Sequence, residues 1–183
     1  MRIESGNLVI RSATESDAEK LTTWWNDGAV MAHAGFPKGL DTSVETVREQ
    51  IARNLTSRGQ RCALEIDSHP IGECSYWVKD STAEIGIKIC EASWQDQGLG
   101  TQYLKLLIGY LFGEEGSDQD QPIEKIVLDT NLKNLRAQHV YEKLGFRKVC
   151  VHENAWQDQL GAWQSSVDYE LYKISYNLTS LRS

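Results

Sequence analysis

The stretch Gln95-Asp96-Gln97-Gly98-Leu99-Gly100-Thr101 places two glycines one residue apart, between a run that reads as a strand and one that reads as a helix. Glycines at such a junction let the backbone turn tightly, so several N–H groups can converge on one concavity. With the positive end of the following helix they form an anion site suited to a pyrophosphate. Two familiar phosphate motifs are excluded. A dinucleotide fingerprint would need glycine where Tyr103 stands, and a P-loop would need Gly-Lys followed by Ser or Thr. Spacing alone also allows a glycine-rich helix start that binds nothing. His33, His69, His139 and His152 show no metal-ligand spacing with one another or with cysteine, so no metal is expected.

The elements around this stretch follow from periodicity. Asn7–Ser12 is a short β-rich run. Thr14-Glu15-Ser16-Asp17 opens a helix with Ala18, Leu21 and Trp25 on one face, and a loop carrying Gly28, Gly35, Pro37 and Gly39 follows. A second helix begins near Ser43, striped by Val44, Val47, Ile51 and Leu55. Arg61–Ile66, Ile71–Val78 and Ala83–Cys90 read as an antiparallel meander, because turn-like residues separate them. From Gly98 to Phe112 the positions Leu99, Tyr103, Leu106, Leu107, Tyr110 and Leu111 keep helical spacing. Gly113–Pro122 is an acidic surface loop. Ile123–Thr130 is a strand, and Leu135–Leu144 a helix with Ala137, Val140, Tyr141 and Leu144 inward, closed by Gly145. Phe146–His152 and Val167–Ile174 are two last strands joined by a long segment. This order predicts an α/β fold with a mixed, mostly antiparallel sheet and helices on both faces, in one domain over residues 1–175 with a tail at 176–183.

Composition narrows the partners. Nineteen Lys and Arg against 26 Asp and Glu leave a formal charge of −7, which argues against a nucleic-acid binder, since those cluster cations for phosphates. An acidic surface suits a cationic acceptor, and it also simply keeps a protein soluble. No apolar run is long enough to span a membrane, and no signal core opens the chain, so a cytoplasmic protein is expected. Cys62, Cys74, Cys90 and Cys150 all fall in strand-like runs without C-x-x-C spacing, and are expected to be buried free thiols. Trp156 and Trp163 flank a segment that could wall a pocket.

Three motifs in order give a resemblance. Gln95-x-x-Gly98-x-Gly100 is similar to the Q/R-x-x-G-x-G/A motif of the GNAT acetyltransferases. Ala83–Ile89 resembles that family's central strand, and Asn134–Phe146 closely matches its N-x-x-A-x-x-x-Y-E-K-x-G-F signature. Trp24-Trp25-Asn26-Asp27 looks like the branch of ribosomal-protein alanine and aminoglycoside acetyltransferases. The resemblance implies an acetyl-CoA-dependent N-acetyltransferase whose fold splays one strand pair at a bulge. The pantetheine arm would pair with the main chain of Ile87, Lys88 and Ile89. The pyrophosphate would sit on the N–H groups of Gln97, Gly98, Leu99, Gly100 and Thr101, with Gln95 in the motif. Asn134 matches the residue that contacts the cofactor, though it could serve only as a helix cap. Tyr141 stands where the family places its acid, and it could equally be a packing aromatic.

A primary amine must lose a proton before it attacks. Glu84 is the first candidate base, with a purely structural carboxylate as the alternative, and Glu73 and Glu65 are reserves. The expected reaction is direct attack in a ternary complex on a small-molecule or peptide amine. The rival readings are a non-catalytic acyl-CoA-binding module and a binding protein for another phosphorylated ligand. An edge strand near the C-terminus could pair with a second copy, giving a homodimer.

Overall fold

The computed structural model describes residues 1–54, 58–113 and 122–180. Most of the acidic stretch after Gly113 therefore lies outside the described residues. Eight strands form a single sheet: β1 (Arg2–Ser5), β2 (Leu8–Ser12), β3 (Gly59–Ile66), β4 (His69–Lys79), β5 (Thr82–Ile89), β6 (Lys125–Asn131), β7 (Arg147–Gln157) and β8 (Trp163–Tyr172). Their order is β1-β2-β3-β4-β5-β6-β8-β7, and every neighbour is antiparallel except the β5–β6 pair. The helices are α1 (Ala18–Trp25), α2 (Gly28–Met31), α3 (Val44–Asn54), α4 (Leu99–Phe112), α5 (Leu135–Lys143) and α6 (Lys173–Ser180).

Two cores sandwich the sheet. Alternation in β3, β4 and β5 sends Cys62, Leu64, Cys74, Tyr76, Ala83 and Ile85 to the face covered by α4 and α5. There α4 buries Leu99, Tyr103, Leu104, Leu107, Ile108 and Leu111. This arc is wider than the stripe expected from spacing: Leu104 and Ile108 are fully enclosed, whereas Leu106 and Tyr110 are only partly covered. Each such aliphatic side chain contributes about 1.5–3 kcal/mol on burial. The other core joins Leu21, Trp24 and Trp25 of α1 to Val47 and Ile51 of α3, with Cys90 beneath.

The structure departs from the expected outline in several places. The loop after Trp25 contains the short helix α2, because the Asp27 side chain accepts from the Ala29 N–H at 2.8 Å and caps it. The N-terminal run Arg2–Ser5 is a strand paired with β2. The long segment expected between the last strands is mostly strand itself. β7 runs on to Gln157 and β8 starts at Trp163, leaving a short hairpin tip. The helix α6 spans Lys173–Ser180. Cys62, Cys74 and Cys90 are buried free thiols, but Cys150 is exposed, because β7 is the sheet's outermost strand and is exposed along nearly its whole length.

Candidate active site

The parallel contact between β5 and β6 is short. It covers Thr82↔Lys125, Ala83↔Ile126 and Glu84↔Val127 and then ends. Beyond it, residues 86–89 remain paired to β4 on one side, while their other edge opens onto a cavity of about 770 Å³. Strands that diverge this way leave main-chain groups free to receive an extended ligand. The expected splay is thus present at Ile87, Lys88 and Ile89. The bulge lies elsewhere, in β4, where Ile71 is the extra residue between Leu64↔Gly72 and Glu65↔Pro70.

One end of the cavity is made of backbone. Gly98 precedes α4 with φ +74°, a left-handed conformation that L side chains rarely adopt, and no side chain caps the helix. The first N–H groups of α4 therefore have no side-chain cap, and the residues that carry them line the cavity. A Cβ at Gly98 or Gly100 would meet nothing within 4 Å, so the space in front of both is open. This cradle fits a diphosphate, and Gly98, Leu99, Gly100 and Thr101 line it. Gln95 lines it too, but its side chain donates to the Ile89 carbonyl at 2.9 Å, stapling the loop to the end of β5. Gln97 turns away: it is exposed, and its amide donates to the Ser93 carbonyl at 2.6 Å. Asn134 is the N-cap of α5, its side chain accepting from the Ala137 N–H at 3.2 Å, and it also lines the cavity. Across the mouth Arg136 pairs with Asp96 at 2.6 Å, both exposed.

The other end is made of side chains from distant elements. His33 and Ala34 form one wall, Trp156 and Ser166 another, and Arg61, Glu73 and Lys88 the floor. Glu73 is 4% exposed and fully engaged: Trp25 Nε1 donates to one oxygen at 2.9 Å, and the Arg61 guanidinium holds the other at 2.6 Å. Lys88 Nζ lies 3.6 Å away, and Arg61 stacks over the Trp25 ring at 4.7 Å. Glu84 does not reach this site. It is an exposed residue on the opposite face of β5 from Ala83 and Ile85, held in the paired part of the strand beside Trp77 and Val127, and it does not line the cavity. Glu65 is bound to Arg11 at 2.8 Å and also lies outside the cavity lining.

Tyr141 and Asp129 line the same cavity. Tyr141 is 7% exposed, packed edge-on to Tyr169 and tilted against Phe146, yet it lines the cavity. Its hydroxyl has no hydrogen-bond partner among the described residues. Burial, and then the charge of Asp129, push its pKa up to about 12, so it stays protonated at neutral pH. Asp129 is near the carboxyl end of β6. Its side chain is exposed at the cavity surface, yet surrounding protein that displaces part of its water, and then the carboxylate of Asp168, its register partner on β8, raise its pKa above the usual carboxylate value. Asp168 in turn meets His152 Nε2 at 2.7 Å. Two thiols lie close by. Burial pushes Cys90 up to about 12, and the Cys62 contact together with burial raises Cys74 well above its usual value, so neither is a thiolate.

Sequence reasoning missed Asp129 and Arg61, whereas Trp156, named there as flanking a possible pocket wall, does line the cavity. An acidic residue near the carboxyl end of a parallel strand was the available signal for Asp129, since open α/β sheets bind ligands at that end.

The model of the acetyltransferase (GNAT) domain matches residues 7–147, and the chain belongs to this family of acetyl-CoA-dependent N-acetyltransferases. Aminoglycoside N(6')-acetyltransferases type 1 of Klebsiella pneumoniae and of Serratia marcescens are each 24% identical over 156 residues, covering 78% of this chain and 75% of theirs. In fold the chain is similar to spermidine N-acetyltransferase from Vibrio cholerae, solved with CoA and spermine. That likeness has a TM-score of 0.81 at 18% identity, over 94% of this chain and 99% of the other. It is also similar to the ribosomal L7/L12 alpha-N-protein acetyltransferase RimL with coenzyme A, with a TM-score of 0.76 at 20% identity, over 94% and 98%. Among the described residues no helix is long and apolar enough to cross a membrane.

Proposed function

We propose that the chain transfers an acetyl group from acetyl-CoA to a primary amine by direct attack in a ternary complex. The observation that carries this reading is that Tyr141 and Asp129 line the same cavity as the open edge of β5 and the glycine-lined start of α4. The cosubstrate supplies the activated thioester. Gly98, Leu99, Gly100 and Thr101 would hold its diphosphate, Asn134 would flank it, and the main chain of Ile87, Lys88 and Ile89 would align its arm as an added strand.

Asp129 replaces Glu84 as the base. An ammonium has no lone pair, and a carboxylate of raised pKa takes its proton more readily than an ordinary one. Tyr141, protonated and with an uncommitted hydroxyl, donates a proton to the leaving sulfur. The protonated state of Cys74 and Cys90 favours direct attack over an acylated cysteine. The acceptor amine belongs to a small molecule or a peptide, in keeping with relatives named for aminoglycosides, spermidine and a ribosomal protein N-terminus.

The test is free-thiol release on mixing the protein with acetyl-CoA and a panel of aminoglycosides, polyamines and peptide amines. Amine-dependent thiol release is expected. CoA binding without turnover on any amine would favour a non-catalytic acyl-CoA-binding module, and no CoA binding would sink both readings.

A further inference from the structure

The acceptor end of the cavity has two walls from opposite ends of the chain, His33 and Ala34 on one side and Trp156 on the other. A polar seam at the tip of the β7–β8 hairpin joins them. The tip is itself braced. Asp158 accepts from the Leu160 N–H at 2.9 Å, the Ala162 N–H at 3.0 Å and Gln164 Nε2 at 2.7 Å, and Gly161 closes the turn at φ +78°. This turn presents Gln159 to the segment after α2. The Gln159 backbone N–H donates to the Gly35 carbonyl at 2.9 Å. Its Oε1 accepts from the Lys38 N–H at 2.8 Å, and its Nε2 donates to the Gly39 carbonyl at 3.0 Å. The side-chain amide thus acts as a peptide group would in a neighbouring strand.

The same seam carries the aromatic wall. The register of β7 against β8 shifts between His152 and Trp156, with Asn154 at φ +48°. Trp156 then lies against Gly35 so closely that a Cβ there would stand 2.4 Å from the ring. Gly35 ends the turn that bears His33 and Ala34, so the seam and the cavity wall are one piece.

We propose that Gln159 is a positioning residue for the acceptor: it latches the segment 35–39 to the β7–β8 hairpin and so fixes the distance between the His33 and Trp156 walls. This inference rests on reading that end of the cavity as the acceptor site. Without the latch, the acceptor must order both walls as it binds, and ordering lowers affinity. The cofactor cradle is built from β5, α4 and α5, and it is spared.

The experiment combines steady-state kinetics with amide hydrogen exchange on Gln159→Ala and Gln159→Glu. In Gln159→Ala the Lys38 amide exchanges faster, and the acceptor KM rises about tenfold, the factor carried by one or two net hydrogen bonds. The values of kcat and of the acetyl-CoA KM stay within about twofold, on the scale of that same bond energy. Gln159→Glu keeps an acceptor for the Lys38 N–H but loses the donor to the Gly39 carbonyl. It therefore retains Lys38 protection and still raises the acceptor KM. Unchanged Lys38 exchange in Gln159→Ala would overturn the latch. Faster exchange with an unchanged acceptor KM would overturn its role in binding. A parent protein that acetylates no amine would strike the underlying reading instead, and the exchange arm, which needs no turnover, tells the two failures apart.

Discussion

The two ends of the cavity are built by different means. The end we propose for the cofactor is mostly main chain: an uncapped helix start, two glycines facing open space and a strand edge without a neighbour among the described residues. The acceptor end is mostly side chain, with His33, Arg61, Glu73, Asp129 and Trp156 gathered from across the chain. Backbone recognition is indifferent to most side chains but intolerant at a few glycines. Side-chain recognition can be retuned residue by residue while the cofactor end stays fixed. One scaffold can thereby hold a constant cosubstrate and meet different acceptors.

The largest effect expected is at Tyr141, which lines the same cavity. Tyr141→Phe keeps the ring that packs on Tyr169 and Phe146 and removes only the hydroxyl. Its single-turnover rate should fall by ~10²–10⁴-fold, the usual worth of a general acid, while acetyl-CoA affinity is retained. A rate within about twofold of the parent, against that scale, would leave Tyr141 as a packing residue.

A smaller effect is expected within the cofactor end, and there the two glycines should separate. Gly98→Val introduces a Cβ at φ +74° and so strains the backbone by ~1–2 kcal/mol as well as crowding the diphosphate. Gly100 has no positive φ and its Cβ would meet open space, so Gly100→Val should weaken CoA roughly 10–100-fold with little loss of fold stability beyond helix propensity. Calorimetric titration with CoA alongside thermal melts reads both, and equal CoA affinity in parent and Gly100→Val would remove the loop from the site.

The smallest effect concerns Asp129 and its neighbour. Asp168 raises the Asp129 pKa by like charge, so Asp168→Asn should lower it. The base form then persists to lower pH, and the acid limb of the kcat/KM profile moves downward. An unmoved limb would detach Asp129 from the rate.

The backbone-built end, which we propose for the cofactor, was legible as local structure because its determinants lie close together in the chain. Gln95–Thr101 and Asn134–Phe146 carry their meaning in spacing, and a helix start or a cap is decided within a few residues. Even there the sequence did not show that Gln95 staples Ile89 or that Gln97 turns to Ser93, since side-chain direction depends on the loop's final path. The acceptor end was not legible for the opposite reason. Glu84 and Glu73 have the same residue type on adjacent strands. Only the sheet's pleat, and the point where β6 leaves β5, put Glu73 in the cavity floor and Glu84 outside its lining. Asp129 gains its character from the surrounding protein that displaces part of its water and then from Asp168, far along the chain but opposite it in the sheet.

The central claim is that cofactor binding and proton handling reside in separable parts of one cavity, and Asp129→Asn tests it most directly. Asparagine preserves shape but cannot take a proton. The account predicts CoA affinity unchanged by calorimetry, with the single-turnover acetylation rate at neutral pH reduced by ~10²–10⁴-fold. A variant that loses CoA affinity along with rate, or that keeps its rate, would contradict it.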